Sequence, residues 1–247
     1  MPQARQERAR PLPRKKIGTG AVVLKGKQTL MALAIFDLDE TLINGDCASL
    51  WSAHMATLGW VDGESFIAKD HQLMAAYAEG KLAMEDYMTF SLSPLVGRTP
   101  EEVAFVVEPF VEDVIEPIFF SDATRCLANH RAAGDRILII SASAHFLVSA
   151  IAERLKVGEV LAIDLHEEYG HYSGKTEGVL TYREGKVTRL HAWLEEHGES
   201  LDGAYFYSDS RNDLPLLQRV DKPHAVNPDP VLREHAEREG WPILSWS

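Results

Sequence analysis

Three short apolar runs, none of them interrupted by alternating polar residues, constrain most strongly how this chain can fold. Each run is followed directly by polar residues that can carry chemistry: Ala32–Phe36 by Asp37, Arg136–Ile140 by Ser141, and Ala204–Tyr207 by Ser208 and Asp209. Unalternating runs of this length are typical of parallel strands that are buried on both faces. We therefore expect the three polar ends to meet at one edge of a sheet, where such folds bind their ligands.

Helical segments alternate with these runs. The spacing of apolar residues predicts helices at Ser121–Ala133, His145–Lys156, Lys186–His197 and Pro230–Glu239. Strand and helix in alternation predict an α/β protein with an open, parallel sheet.

The interval between the first two runs is too long for a single strand–helix–strand connection. Asp37 and Ser141 are 104 positions apart, whereas such a connection takes roughly 30 residues. The surplus has helical spacing at Ser65–Glu79 and Met84–Leu92, and a capping box with a proline at Thr99–Glu102. We predict an α/β core formed by residues 31–45 and 118–247, with a small helical cap, residues 46–117, inserted after the first strand.

The first thirty residues differ in composition from the rest of the chain. They contain eight Lys and Arg against one acid, together with three prolines, and show no amphipathic period. This composition predicts a basic, disordered leader over residues 1–30. Met31, where the apolar pattern begins, is an alternative start of translation.

Composition also excludes several classes of protein. No apolar run approaches the ~18 residues of a membrane span, and a net charge of −12 argues against nucleic-acid binding. Cys47 and Cys126 form no metal-ligand pattern, so we expect two reduced thiols in a cytoplasmic protein. We therefore expect neither a membrane nor a nucleic acid as a partner, and the sequence leaves the oligomeric state open.

The strongest chemical signal is the segment Asp37-Leu38-Asp39-Glu40-Thr41, directly after the first predicted strand. Two carboxylates this close repel each other and favour a cation, and hard oxygen ligands favour Mg²⁺. A carboxylate can also attack phosphorus and form an aspartyl-phosphate. Taken alone, the segment more often belongs to a surface turn, so its interpretation depends on the other strand ends.

Those strand ends carry matching residues. Asp209 and Asp213 can complete a Mg²⁺ site, although each also fits a helix cap. Ser141 and the backbone N–H groups after it can hold phosphate oxygens. Lys186 can neutralise a phosphoryl group. Together with the two acids of the first segment, they supply a nucleophile, a proton carrier, a phosphate ligand, a cation and metal ligands.

The chain resembles the haloacid-dehalogenase-like superfamily from Met31 to the C-terminus. The resemblance rests on these motifs and on two segments nearer the C-terminus, Asp213-Leu-Pro-Leu-Leu and Ala225-Val-Asn-Pro-Asp-Pro. Within this superfamily, the chain is similar to the subfamily IB group that includes phosphoserine phosphatase. The resemblance implies a Rossmann-like open parallel sheet with a helical cap, and a Mg²⁺-dependent phosphatase that forms an aspartyl-phosphate.

The resemblance also implies a role for each motif residue. Asp37 corresponds to the nucleophile and Asp39 to the general acid and base. The implied metal ligands are Asp37, Asp39 through its backbone carbonyl, Asp209 and Asp213. The implied substrate- and phosphate-binding residues are Thr41, which supports the loop, and Asp46, Ser141, Ala142, Lys186 and Asn212.

The sequence indicates the identity of the substrate, a small phosphate ester, less clearly than it indicates the reaction. Asp46 matches the acid that binds the substrate amine in phosphoserine phosphatases, but no arginine for a substrate carboxylate precedes Arg98 in the cap. Residues 46–120 contain 13 acids against three bases, and an acidic lid suits a positively charged ester. The best prediction is histidinol phosphate.

Other functions stay open at this point. Phosphoserine phosphatase and a phosphotransferase share the same motifs. A non-enzymatic phospho-receiver or phosphometabolite binder is a further alternative, against which the acid at Asp39 and the inserted cap both count. A haloacid dehalogenase would need neither that acid as a proton carrier nor Mg²⁺.

Overall fold

The structure, a computed structural model, describes residues 31–79, 81 and 83–247. The predicted leader, residues 1–30, lies outside the described residues. Within them, the strands are β1 (Leu33–Phe36), β2 (Arg136–Ala144), β3 (Glu159–Glu168), β4 (His171–Glu177), β5 (Tyr205–Ser208), β6 (Lys222–Val226) and β7 (Ile243–Leu244). They form one sheet in the order β4-β3-β2-β1-β5-β6-β7. All neighbouring strands are parallel except β3 and β4, which form an antiparallel hairpin. The predicted Rossmann-like α/β fold is confirmed.

The helices of the described residues agree with the spacing of the sequence. They are α1 (Cys47–Thr57), α2 (Gly63–Ala78), α3 (Met84–Leu92), α4 (Pro100–Phe110), α5 (Ser121–Ala133), α6 (His145–Arg154), α7 (Glu184–His197), α8 (Leu214–Leu217) and α9 (Pro230–Glu239). The predicted capping box begins α4: the Thr99 hydroxyl accepts from the backbone of Glu102, whose carboxylate accepts from the backbone of Thr99.

No helix in the described ranges is long and apolar enough to cross a bilayer. Both cysteines are free thiols.

Strand β1 is the centre of the core. All four of its residues are buried, and they alternate between two apolar clusters: Ala34 and Phe36 belong to one, Leu33 and Ile35 to the other. Because successive side chains of a strand point to opposite faces, this alternation means that both faces of β1 are covered. The position of β1 between β2 and β5 brings the carboxyl ends of the three predicted strands side by side.

Helices α1 to α4 occupy the chain between β1 and α5, where the sequence predicts a cap. Their apolar side chains join the same cluster as one face of the sheet. Trp51 of α1 packs edge-on against Phe146 of α6, with ring centres 5.9 Å apart, and against Phe110 of α4 at 5.2 Å. The exact division into core and cap stays a prediction, but the contact of Trp51 with Phe146 connects the inserted helices to α6, and the shared apolar cluster connects them to the sheet.

The second predicted strand differs from the sequence expectation at its end. Strand β2 continues past Ser141 to Ala144. Its pairing with β3 nevertheless shifts between Ile140 and Ala144, where four steps along β2 match two along β3. Such a bulge re-aims side chains at the rim of a sheet. Ala142 and Ser143 are therefore presented at the edge, although they are formally part of the strand.

Candidate active site

A buried lysine joins two of the predicted acids. The Lys186 ammonium lies 2.9 Å from Asp37 Oδ1 and 2.8 Å from the Asp213 carboxylate. Lys186 and Asp213 are almost wholly buried and Asp37 is 7% exposed. The backbone N–H of Asp37 donates to the carbonyl of Tyr207 at 2.9 Å, which fixes the end of β1 against β5. Residues 149 positions apart in the chain thus form an ion pair at the edge of the sheet.

The residues around the loop after β1 orient Asp39, the second acid of the segment Asp37–Thr41. The backbone N–H of Cys47, in the first turn of α1, donates to Asp39 Oδ1 at 2.7 Å. The Ser143 hydroxyl, presented by the bulge in β2, donates to Asp39 Oδ2 at 2.9 Å. Both carboxylate oxygens are therefore held in place. Because a hydroxyl can donate or accept, Ser143 can pair with this carboxyl group in either protonation state.

A second set of contacts orients the two acids that follow β5, and part of it joins Asp209 to the loop after β1. The Thr41 hydroxyl lies 3.2 Å from Asp209 Oδ1 and accepts from the backbone N–H of Asp209 at 3.1 Å. The Ser208 hydroxyl donates to Asp213 Oδ2 at 2.7 Å. These bonds orient both acids at the end of β5.

The acids border a cavity of about 240 Å³. Its polar lining consists of Asp37, Asp39, Glu40, Asp46, Ser143, Asp209, Ser210 and Asp229, and its apolar lining of Ala48, Met74, Met84, Tyr87 and Ala142. No Lys, Arg or His is among these lining residues. The cavity therefore combines six carboxylates with an apolar wall.

Burial and mutual repulsion make these acids hard to ionise. Burial raises the pKa of Asp37 to about 7, although Lys186 opposes the change. Burial, with repulsion from Asp39, raises the pKa of Asp46 to about 8. Burial, with repulsion from Asp37 and Asp213, raises the pKa of Asp209 well above its usual range. A cation at this edge would relieve the repulsion.

The side chains at this edge of the sheet could supply only some of the ligands of a Mg²⁺ ion. No three Asp, Glu, His or Cys side chains in the described part of the chain come close enough together to hold a metal ion by themselves. Asp213 is engaged by Lys186 and Ser208. Mg²⁺, however, is commonly bound by one or two carboxylates, completed by water and substrate phosphate. The carboxylates of Asp37 and Asp209 with the backbone carbonyl of Asp39 suit that pattern, and the four-acid ligand set stays a prediction.

The remaining predicted residues divide between the cavity and its surroundings. Asp46 and Ala142 line the cavity, and Asp46 also caps α1 through a 2.7 Å bond from the Ser49 N–H. Ser141 is fully buried behind the rim and accepts from the Ser143 N–H at 3.0 Å. Asn212 does not line the cavity, and its side-chain carbonyl accepts from Arg183 Nε at 3.1 Å.

Sequence reasoning did not assign several residues that contribute to the site. They are Glu40, Met74, Met84, Tyr87, Ser143, Ser208, Ser210 and Asp229. Ser143 and Ser208 stand next to the predicted strand ends, so their position was an available signal. The residues from α2 and α3 had no such signal in the sequence, because apolar residues on a helix are first interpreted as part of the hydrophobic core.

A close backbone approach positions Lys186. Its neighbour Gly185 lies in the first turn of α7, where an added Cβ would stand 1.9 Å from the carbonyl oxygen of Leu180. The preceding cap residue, Arg183, has a positive φ of 51°. The chain is therefore tightly folded directly before the lysine, and only glycine fits at residue 185.

Comparison with known proteins gives consistent similarities. Residues 34–218 match the family described as haloacid dehalogenase-like hydrolase. The chain is 37% identical over 218 residues to a histidinol-phosphatase of Neisseria meningitidis serogroup C (strain 8013), covering 87% of this chain and 98% of the relative. It is also 37% identical to a protein of unknown function from Bordetella pertussis Tohama I, with a TM-score of 0.80 and coverage of 87% and 98%. A substrate-bound phosphoserine phosphatase has a TM-score of 0.64 at 20% identity, covering 87% of this chain and 92% of the other, which shows the shared fold alone.

We predict that Gly185→Ala lowers both stability and activity. The new methyl group would displace the backbone of residue 180 or the start of α7, at a cost of about 1–3 kcal/mol. The resulting shift of the lysine should reduce kcat at least about tenfold, because small misplacements are costly in catalysis. Urea denaturation and phosphate release measure the two effects. Gly158→Ala is the control, since nothing lies within 4 Å of its added Cβ, and equal behaviour of the two variants would contradict the prediction.

We also predict that Asp37 makes the metal-free protein less stable as pH rises from about 4 to 7. Unfolded Asp titrates near pH 4, whereas folded Asp37 titrates at about 7, so the folded state binds more protons in between and stability falls with rising pH. Urea denaturation in chelator should show this slope, and Asp37→Asn should reduce it. Asp202→Asn, at an exposed position, should leave the slope unchanged. An unaltered slope in Asp37→Asn would refute the assignment.

Proposed function

We propose that this chain, a phosphatase of the haloacid dehalogenase-like hydrolase family, hydrolyses a small phosphate monoester through an aspartyl-phosphate on Asp37. One observation carries the proposal: Lys186 holds Asp37 Oδ1 at 2.9 Å, which leaves Oδ2 as the nucleophile at the cavity. Asp39, two residues on, borders the same cavity and is the proposed proton carrier.

The first half of the reaction transfers the phosphoryl group to the protein. Asp37 Oδ2 attacks phosphorus, a P–O bond to this carboxylate forms, and the P–O bond to the alcohol breaks. Protonated Asp39 gives its proton to the departing alcohol oxygen, while the Ser143 hydroxyl keeps the carboxyl group oriented. Lys186 keeps the attacking carboxylate in place and offsets negative charge, since positioning and charge stabilisation carry most of phosphoryl transfer.

The second half restores the enzyme. Asp39, now a carboxylate, takes a proton from water as the water oxygen attacks phosphorus. The P–O bond to Asp37 breaks and releases inorganic phosphate. Bound Mg²⁺, held by the carboxylates of Asp37 and Asp209 and the backbone carbonyl of Asp39, would supply charge neutralisation at the phosphoryl oxygens.

Histidinol phosphate is the proposed substrate. Among the described residues, the cavity is lined by six carboxylates and by no Lys, Arg or His, so this lining offers favourable partners to an amine or an imidazole and no cationic partner to a carboxylate. Arg98, the first arginine of the cap, is stacked 3.7 Å above the centre of the Trp60 ring and does not line the cavity. The similarity to a histidinol-phosphatase over nearly its whole length supports the same choice.

The mechanism predicts that replacing Asp37 or Asp39 lowers kcat strongly and by different factors. Asp37→Asn should reduce kcat at least about a thousandfold, since no other group replaces the nucleophile. Asp39→Asn should reduce it about 10²–10⁴-fold, the usual contribution of a proton carrier. Phosphate release with Mg²⁺ and with chelator measures both, and chelator should abolish it. Asp202→Asn is the control, and substantial turnover by Asp37→Asn would rule out the aspartyl-phosphate.

The cavity lining predicts a strong substrate preference. Phosphoserine carries a carboxylate that would lack a partner, at a cost of at least ~2–3 kcal/mol, so kcat/KM for histidinol phosphate should exceed that for phosphoserine roughly a hundredfold. Equal or better turnover of phosphoserine would reject the substrate assignment but keep the phosphatase. Alcohol and inorganic phosphate released in equal amounts would distinguish hydrolysis from phosphoryl transfer to another alcohol.

A further inference from the structure

The wall of the cavity formed by the inserted helices differs from its acidic floor. Met74 comes from α2, and Met84 and Tyr87 come from α3. All three are side chains that pack well against flat rings, since the thioether of methionine is polarisable and adaptable. An acidic floor with an apolar wall is the arrangement expected for a ligand that is polar at one end and planar at the other.

The Tyr87 hydroxyl is an unexplained polar group in this wall. Tyr87 is 5% exposed, and its hydroxyl is buried without a hydrogen-bond partner among the described residues. Buried hydroxyls in native proteins are nearly always paired, and leaving one unpaired is costly. Because Tyr87 also lines the cavity, its hydroxyl is a candidate partner for a ligand bound there.

The polar groups near this hydroxyl already accept hydrogen bonds from other residues. Asp70, buried near it, accepts from the hydroxyls of Ser49 at 2.7 Å and Ser52 at 3.1 Å. Asp46 accepts from the backbone N–H of Ser49. Burial and these nearby carboxylates raise the pKa of Tyr87, which keeps its hydroxyl neutral and able to donate or accept.

We propose that Tyr87, Met74 and Met84 form a subsite for a planar, nitrogen-containing ring on the alcohol part of the substrate, with the Tyr87 hydroxyl hydrogen-bonded to a ring nitrogen. This inference rests on the proposed phosphatase function and assigns a role to the wall of the cavity formed by α2 and α3. The carboxylates near the hydroxyl favour a neutral or positively charged ring and disfavour an anionic group. An imidazole meets these requirements.

The test compares Tyr87→Phe with the unchanged full-length protein on two esters. Histidinol phosphate carries the ring and the amine, whereas 2-aminopropyl phosphate carries the same amine without the ring. Tyr87→Phe should lower kcat/KM for histidinol phosphate about 10- to 100-fold, mainly through KM, and change that for 2-aminopropyl phosphate less than about twofold. The melting temperature of the ligand-free variant should stay equal or rise, because an unpaired buried hydroxyl is removed. Tyr172→Phe, whose ring packs near Phe146 outside this cavity, is the control.

Two results would overturn the subsite. An equal loss on both esters would assign Tyr87 to the common phosphate chemistry or to the fold, and no loss on either would leave the hydroxyl without this role. Binding of histidinol, which has no phosphate, is measured in parallel by the shift in melting temperature. If the protein turned over neither ester, the proposed function would fail, yet histidinol binding lost in Tyr87→Phe would still support the subsite and equal binding would reject it.

Discussion

The bridge from Lys186 to Asp37 and Asp213 is the interaction on which the rest of the site depends. Burying a charge costs several kcal/mol even after relaxation, so a buried lysine is tolerated only where carboxylates meet it at hydrogen-bond distance, here 2.9 and 2.8 Å. The bridge also fixes one oxygen of Asp37. The same contact that makes the buried charge tolerable thus orients the proposed nucleophile, which ties stability and chemistry to one geometry.

One lysine does not balance the acids gathered at this edge of the sheet. Asp209 repels both bridged acids, and the described lining of the cavity contains no further cation. The excess negative charge is the reason for proposing both a divalent ion and a positively charged ester. The same excess would disfavour anionic groups other than the phosphate, so the proposed selectivity depends on the charges that the cavity lacks as well as on those that it holds.

The sequence predicted the parts of this arrangement that follow from strand ends. Buried, unalternating runs before Asp37, Ser141 and Asp209 imply neighbouring parallel strands, and such strands bring their carboxyl ends together whatever their separation in the chain. It could not predict the bulge in β2 that brings Ser143 to Asp39, since a bulge depends on pairing with β3. Nor could it predict that Arg98 stacks on Trp60, because this contact is set by how the inserted helices pack.

Several unfavourable features of the molecule occur at or beside the proposed active site. Repelling carboxylates, a Tyr87 hydroxyl without a partner among the described residues and a positive φ at Arg183 each oppose folding. They persist because the surrounding structure fixes them: β1 is buried on both faces, and the inserted helices share its apolar cluster. Ligands that supply a cation, a phosphate and a ring would relieve the first two features together. On the proposed function, binding energy in this cavity would therefore come largely from the relief of costs that the folded chain already carries.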